Sequence, residues 1–143
     1  MNHETLRWEQ VRVGDELPSL EIPITTTRIV AGAIASRDYQ EVHHDYEIAV
    51  ERGSKDVFMN ILTTNGYVGR FVTDWAGPEA LLKLVDIRLG APNYPHDTMR
   101  MSGRVSAVLD EQGEGLVEVE VVGANGLGNH VTGTVRLALP RGS

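Results

Sequence analysis

An aspartate and a histidine five residues apart, Asp38 and His43, stand in the stretch Arg37-Asp38-Tyr39-Gln40-Glu41-Val42-His43-His44-Asp45. This stretch is dense in proton-carrying groups and has no apolar period. On an α-helix an offset of five turns two side chains about 140° apart, and on a strand an odd offset sends them to opposite faces. Only a bent loop lets them meet. A carboxylate of ordinary pKa about 3.9 and an imidazole of about 6.5 can then share acid and base work on one bound water. A chain of this length and composition carries about 0.3 such spacings by chance, so the pair gains meaning from its surroundings. The alternative is a solvated surface loop in which Asp38 caps a turn.

Other candidates carry less. His44 adjoins His43 and would take over if the loop register differed. His3, His96 and His130 are isolated, as surface or turn histidines are, and no ligand spacing links them, so no metal is expected. The absence of cysteine removes thiol nucleophiles, thiolate metal sites and redox dithiols. With no Gly-x-Gly-x-x-Gly, no P-loop and no Gly-x-Ser-x-Gly elbow, neither nucleotide-dependent transfer nor serine hydrolysis has support.

The elements that must position the pair follow from periodicity. Leu20, Ile22 and Ile24 alternate as a short strand. Arg28 to Ser36 then carries Ile29, Ala33 and Ile34 at helical spacing, with Thr25 to Thr27 as possible caps. Asp45 can cap a second short helix running through Ala49 to Arg52 and closed by Gly53. The longest helical pattern runs from Val57 to Trp75 and stops at Gly77-Pro78; its stripe is Val57, Phe58, Ile61, Leu62, Val68, Phe71, Val72 and Trp75. Thr63 to Gly66, with Gly69, predict a close approach to its backbone. Beyond it the period is two, giving four half-buried strands whose apolar sets include Leu81 with Val85, Ile87 and Leu89, Met99 with Met101, Val117 to Val121, and Val131 to Leu139. Turns at 111–115 and 123–126 join antiparallel neighbours. The plan is α+β, one domain over residues 1–143, with the long helix packed on the apolar face of the sheet.

The 143 residues are 41% hydrophobic and 23% charged, ordinary globular usage. A net charge of −7 argues against duplex nucleic acid or anionic membrane as a general partner. No apolar run approaches the ~20 residues of a membrane helix, and the start is no signal peptide, which predicts a cytoplasmic protein. Met99 and Met101 fit sheet core, and Tyr67 and Trp75 fit helix packing. Arg100, Arg104 and Arg136 share outward strand faces, where solvation competes with a role in holding phosphates.

The run Ser36-Arg37-Asp38-Tyr39-Gln40-Glu41-Val42-His43-His44-Asp45 resembles the hydratase motif of MaoC-like enoyl-CoA hydratases, Ser-Gly-Asp-x-Asn-Pro-(Leu/Val)-His-x-(Asp/Glu). The element order also resembles that family's hot-dog fold, an antiparallel sheet wrapped around one long central helix. Asp38 and His43 match the catalytic pair, Ser36 the serine and Asp45 the downstream acid. Arg37, Gln40 and Glu41 replace glycine, asparagine and proline, which removes the residues that preorganise the loop. Gln40 retains an amide that could steady it.

Further segments, Gly53-Ser54-Lys55-Asp56, Asn60-Ile61-Leu62-Thr63, Val72 to Pro78 and Arg88-Leu89-Gly90, resemble the small subunit of actinobacterial steroid (cholesterol) side-chain enoyl-CoA hydratases. The resemblance implies addition of water to a bulky 2-enoyl-CoA, with no cofactor beyond the CoA carried by the substrate. It also implies a hetero-oligomer with a second MaoC-like hot-dog chain. His43 would act as base, and Asp38 would orient the water and handle the proton destined for the α-carbon. The backbone N–H at Asn60, where family members have His-Gly and this chain has Met59-Asn60, would bind the substrate oxygen. Two rival readings remain: a thioesterase on the same fold, disfavoured because 57–73 holds no acid, and a non-catalytic scaffolding subunit of a hydratase complex.

Overall fold

In a computed structural model, residues 4–142 are described; His3 lies outside them. Strand β1 (Leu20–Ile24) is followed by helix α1 (Thr26–Ala35), a 3-10 turn (Glu41–His43), helix α2 (Tyr46–Glu51) and the long helix α3 (Ile61–Ala76). Strands β2 (Leu81–Leu89), β3 (Asp97–Glu111), β4 (Glu114–Asn125) and β5 (Gly128–Leu139) complete the chain. The sheet order is β1-β3-β4-β5-β2, with every neighbouring pair antiparallel. Gln112 and Gly113 both take positive φ, the conformation that a two-residue hairpin between β3 and β4 requires.

The caps form where the sequence places them. Thr25 Oγ1 accepts the Arg28 N–H at 3.0 Å and starts α1, while Asp45 Oδ1 accepts the Ile48 N–H at 3.2 Å and starts α2. Gly53, at φ +94°, ends α2: its N–H reaches the Val50 carbonyl and the Ser54 N–H the Ala49 carbonyl, the two bonds of a Schellman stop.

The long helix differs from its sequence pattern at the N-terminal end. It begins at Ile61, not Val57, because the backbone of 57–60 is committed elsewhere. Phe58 N–H donates to the Val42 carbonyl and Met59 N–H to the Asn93 carbonyl, drawing the segment out as an extended strap. Val57 and Met59 are buried by a period of two that the sequence blends into the helical stripe. Within α3, Val68, Phe71 and Val72 are buried against the sheet, each contributing about 1.5–3 kcal/mol. Ile61 and Leu62, expected in the stripe, are 50% and 52% exposed. The close approach to α3 comes from α1: a Cβ on Gly32 would lie 2.2 Å from Thr63 Oγ1. Gly66 has open space beside it.

Met99 and Met101 are fully buried, as core residues. Arg100 pairs with Glu21 at 2.6 Å and Arg136 with Glu118 at 2.5 Å, directly across the strands, and Arg104 faces Glu120 in the register. The outward arginines are therefore matched by acids on the neighbouring strand. Of the alternating set in the edge strand β2, Val85 and Ile87 are half-buried against the core, whereas Leu81 and Leu89 at its ends, with Leu82 and Leu84, are exposed. No helix of the described residues is long and apolar enough to cross a membrane.

Candidate active site

The end of α1 delivers Asp38. Arg37 N–H bonds the Ile34 carbonyl and Asp38 N–H the Ala33 carbonyl, a second Schellman stop in which Arg37 occupies the left-handed position at φ +55°. This is where the hydratase motif has glycine. An L-residue pays about 1–2 kcal/mol there, partly returned by the lower entropy of its unfolded chain. Arg37→Gly is therefore expected to raise unfolding free energy by about 0.5–1 kcal/mol, read as a higher urea midpoint with an unchanged slope.

The 3-10 turn delivers His43. Its N–H reaches back to the Gln40 carbonyl, and its buried ring packs edge-on to Phe58 with centroids 4.9 Å apart. His43 Nδ1 lies 2.7 Å from the Phe58 carbonyl. A carbonyl can only accept, which assigns the proton of the neutral ring to Nδ1 and leaves Nε2 bare. That nitrogen faces Asp38 Oδ2 at 3.4 Å. Two acceptors held this close suit a water that donates to both, and they become an ion pair once the imidazole takes a proton.

Asn60, the N-cap of α3, ties these parts together. Its Oδ1 accepts the Thr63 N–H at 3.1 Å, and its Nδ2 donates to Ser36 Oγ at 2.9 Å and Asp38 Oδ2 at 3.0 Å. Ser36 Oγ in turn donates to the Gly32 carbonyl at 2.7 Å. The hydrogen bond from Asn60, followed by the Gln40 N–H and the charge of His43, holds the Asp38 carboxyl below the usual carboxylate range against the opposing effect of desolvation. The amide that steadies the loop thus belongs to Asn60, not to Gln40.

Asp38, His43 and Asn60 share a cavity of about 350 Å³ with Phe58, Ile61 and Leu89 among its walls. His44 is exposed, Asp45 serves as the α2 cap, and none of Arg100, Arg104 and Arg136 lines the cavity. Among the described residues no three His, Asp or Glu side chains gather as metal ligands would.

His130 corrects the sequence reading. Its isolation in the sequence predicts a surface or turn position, yet it is 2% exposed and lines this cavity. By alternation it belongs outside with Thr132 and Thr134. The register explains the reversal: Gly123 pairs with Val131 but Ala124 with Asn129, so His130 is the extra residue of a β-bulge, and both it and Val131 turn inward. The only trace of this in the sequence is a phase slip of one residue, which alternation alone does not locate.

No protein-family model matches the chain. It is 54% identical over 127 residues to the 3-oxo-4,17-pregnadiene-20-carboxyl-CoA hydratase beta subunit of Mycobacterium tuberculosis, covering 89% of this chain and 95% of that one. A chain of the ChsH1–ChsH2 complex of M. tuberculosis superposes with a TM-score of 0.86 at 54% identity, over 90% of this chain and 98% of the other. The R-hydratase PhaJ1 of Pseudomonas aeruginosa matches with a TM-score of 0.85 at 17% identity, over 96% and 88% of the two chains. A MaoC-like dehydratase of Rhodospirillum rubrum gives 0.81 at 20%, over 96% and 99%. The last two share the hot-dog fold at sequence distances that show the fold alone. With 54% of the aligned residues identical across nearly nine-tenths of its length, the chain belongs to the MaoC-like enoyl-CoA hydratase family.

Proposed function

We propose that this chain, with all of 1–143 as one hot-dog domain, is the catalytic subunit of an enoyl-CoA hydratase acting on a bulky steroid side-chain 2-enoyl-CoA. The observation that carries this reading is the bare His43 Nε2 facing Asp38 Oδ2 at 3.4 Å in a cavity. The relative whose name specifies a 17-ene next to a C20 carboxyl-CoA supports the substrate class.

Water held between the pair gives a proton to His43 Nε2 as its oxygen attacks the β-carbon. The electron pair of the double bond moves onto the thioester, forming an enolate, and the pair then returns the proton to the α-carbon. One water is added and both side chains recover their starting states. Asp38, kept anionic by Asn60, orients the water and stabilises the imidazolium. The Asn60 backbone N–H, just outside the helical ladder, is the donor proposed for the enolate oxygen. The product is a 3-hydroxyacyl-CoA, with a tertiary alcohol where the β-carbon is C17. CoA arrives with the substrate, so the reading calls for no resident cofactor.

Assembly with a second hot-dog chain is supported by the ChsH1–ChsH2 complex and by the exposed leucines of the edge strand β2. CoA thioesters are used inside cells, which fits a cytoplasmic enzyme. The test incubates the assembled protein with a steroid 2-enoyl-CoA. The expected result is loss of enoyl absorbance without release of thiol. Thiol release would identify a thioesterase instead.

A further inference from the structure

We propose that His130 acts through Thr64 as a positioning residue for the Asp38 carboxylate; the kinetic part of this inference rests on the hydratase reading. His130 Nδ1 lies 2.7 Å from the Ala91 carbonyl, so that nitrogen carries the proton, and Nε2 accepts from the hydroxyl of Thr64 at 2.8 Å. Both ring nitrogens are thereby occupied, which excludes His130 as acid or base even though it lines the cavity. Burial pushes its pKa down, so the ring stays neutral and Nε2 remains an acceptor.

The position is built from several sides. The bulge in β5 turns the ring inward, Gly90 N–H donates to the His130 carbonyl at 2.7 Å, and Ala91 N–H donates to the Asn129 carbonyl at 2.9 Å. A Cβ on Gly90 would lie 2.4 Å from the Asn129 oxygen, so the end of β2 approaches this bulge as only glycine allows. From His130 the connection runs into the first turn of α3. Thr64 N–H bonds the Asn60 carbonyl at 3.2 Å, and Asn60 is the residue whose Nδ2 reaches Asp38. The imidazole thus fixes that turn against the sheet, and the turn sets the amide that holds the carboxylate. Asp38 is faced by this amide, by His43 Nε2 and by the Gln40 N–H.

Thr64→Val keeps the shape of the side chain and removes the donor to Nε2. The first measurement is the titration of the Asp38 carboxyl by carbon-13 NMR, which needs no turnover. In the valine variant its midpoint is expected to rise by about half a pH unit as the Asn60 bond loosens, while Thr64→Ser keeps the wild-type value. In the assembled enzyme, Thr64→Val should lower kcat about three- to tenfold with KM unchanged, and serine should restore it. An Asp38 titration in Thr64→Val equal to the wild type would overturn the inference. Lack of hydration by the wild-type assembly would instead sink the proposed function and leave the NMR result standing.

Discussion

Replacing Asp38 by Asn or His43 by Gln is expected to lower kcat for hydration by about 10²–10⁴-fold each, and the double variant should be no worse than the poorer single one. The two groups act on one water, so removing either ends the same proton transfer, and effects of residues working as a unit do not add. The Asp38→Asn change is clean because the amide oxygen can still accept from Asn60 Nδ2, now at 3.0 Å from the carboxylate, so the loop keeps its tie to α3. Single-turnover assays on the assembled enzyme, with circular dichroism to confirm folding, check the outcome. Full activity in either variant would move catalysis to another chain and leave this one a scaffold.

Asn60→Asp should have the second large effect, and it separates capping from carboxylate control. Aspartate caps helices as well as asparagine does, so α3 should start normally. The change, however, replaces a donor to Asp38 with a second carboxylate at the same place. Like charges at that distance cannot both stay ionised, so one of the two pKa values must rise. The acid limb of kcat/KM is expected to move up by about one pH unit or more, and activity at pH 7 to fall by about tenfold or more. The stability profile should change as well. In the native protein the depressed Asp38 pKa contributes stability that is present above its unfolded value and is lost as pH falls through the lower folded value. In the variant a raised folded pKa makes the contribution unfavourable as pH climbs past the unfolded value, about 4. Urea unfolding at pH 3, 5 and 7 reads this directly, and an unchanged acid limb would show that Asn60 does not govern the carboxylate.

Much of this arrangement was legible in the residues themselves. A five-residue offset lets Asp38 and His43 meet only across a bend, and the motif around them gives that meeting its weight, while Thr25, Asp45, Gly53 and Gly77 mark helix ends by their chemistry. The unread features depended on distant backbone. Val57 and Phe58 read as helix because the competing hydrogen bonds come from Val42 and Asn93, which no local window includes. Alternation correctly located β2 but could not say that Leu81 and Leu84 would remain uncovered. His130 was misplaced because alternation presumes an unbroken ladder, and one inserted residue reverses the face of everything before it.

That inserted residue makes chain length near the β4–β5 hairpin as constrained as residue identity. Trimming Gly128 or Asn129 would straighten the ladder and swing the His130 imidazole toward solvent, whereas adding residues at Gly126-Leu127, in the turn itself, leaves the pairing of Gly123 with Val131 intact. Loop grafting or deletion scanning in this hairpin should therefore show a sharp boundary, permissive at the tip and intolerant two residues further along.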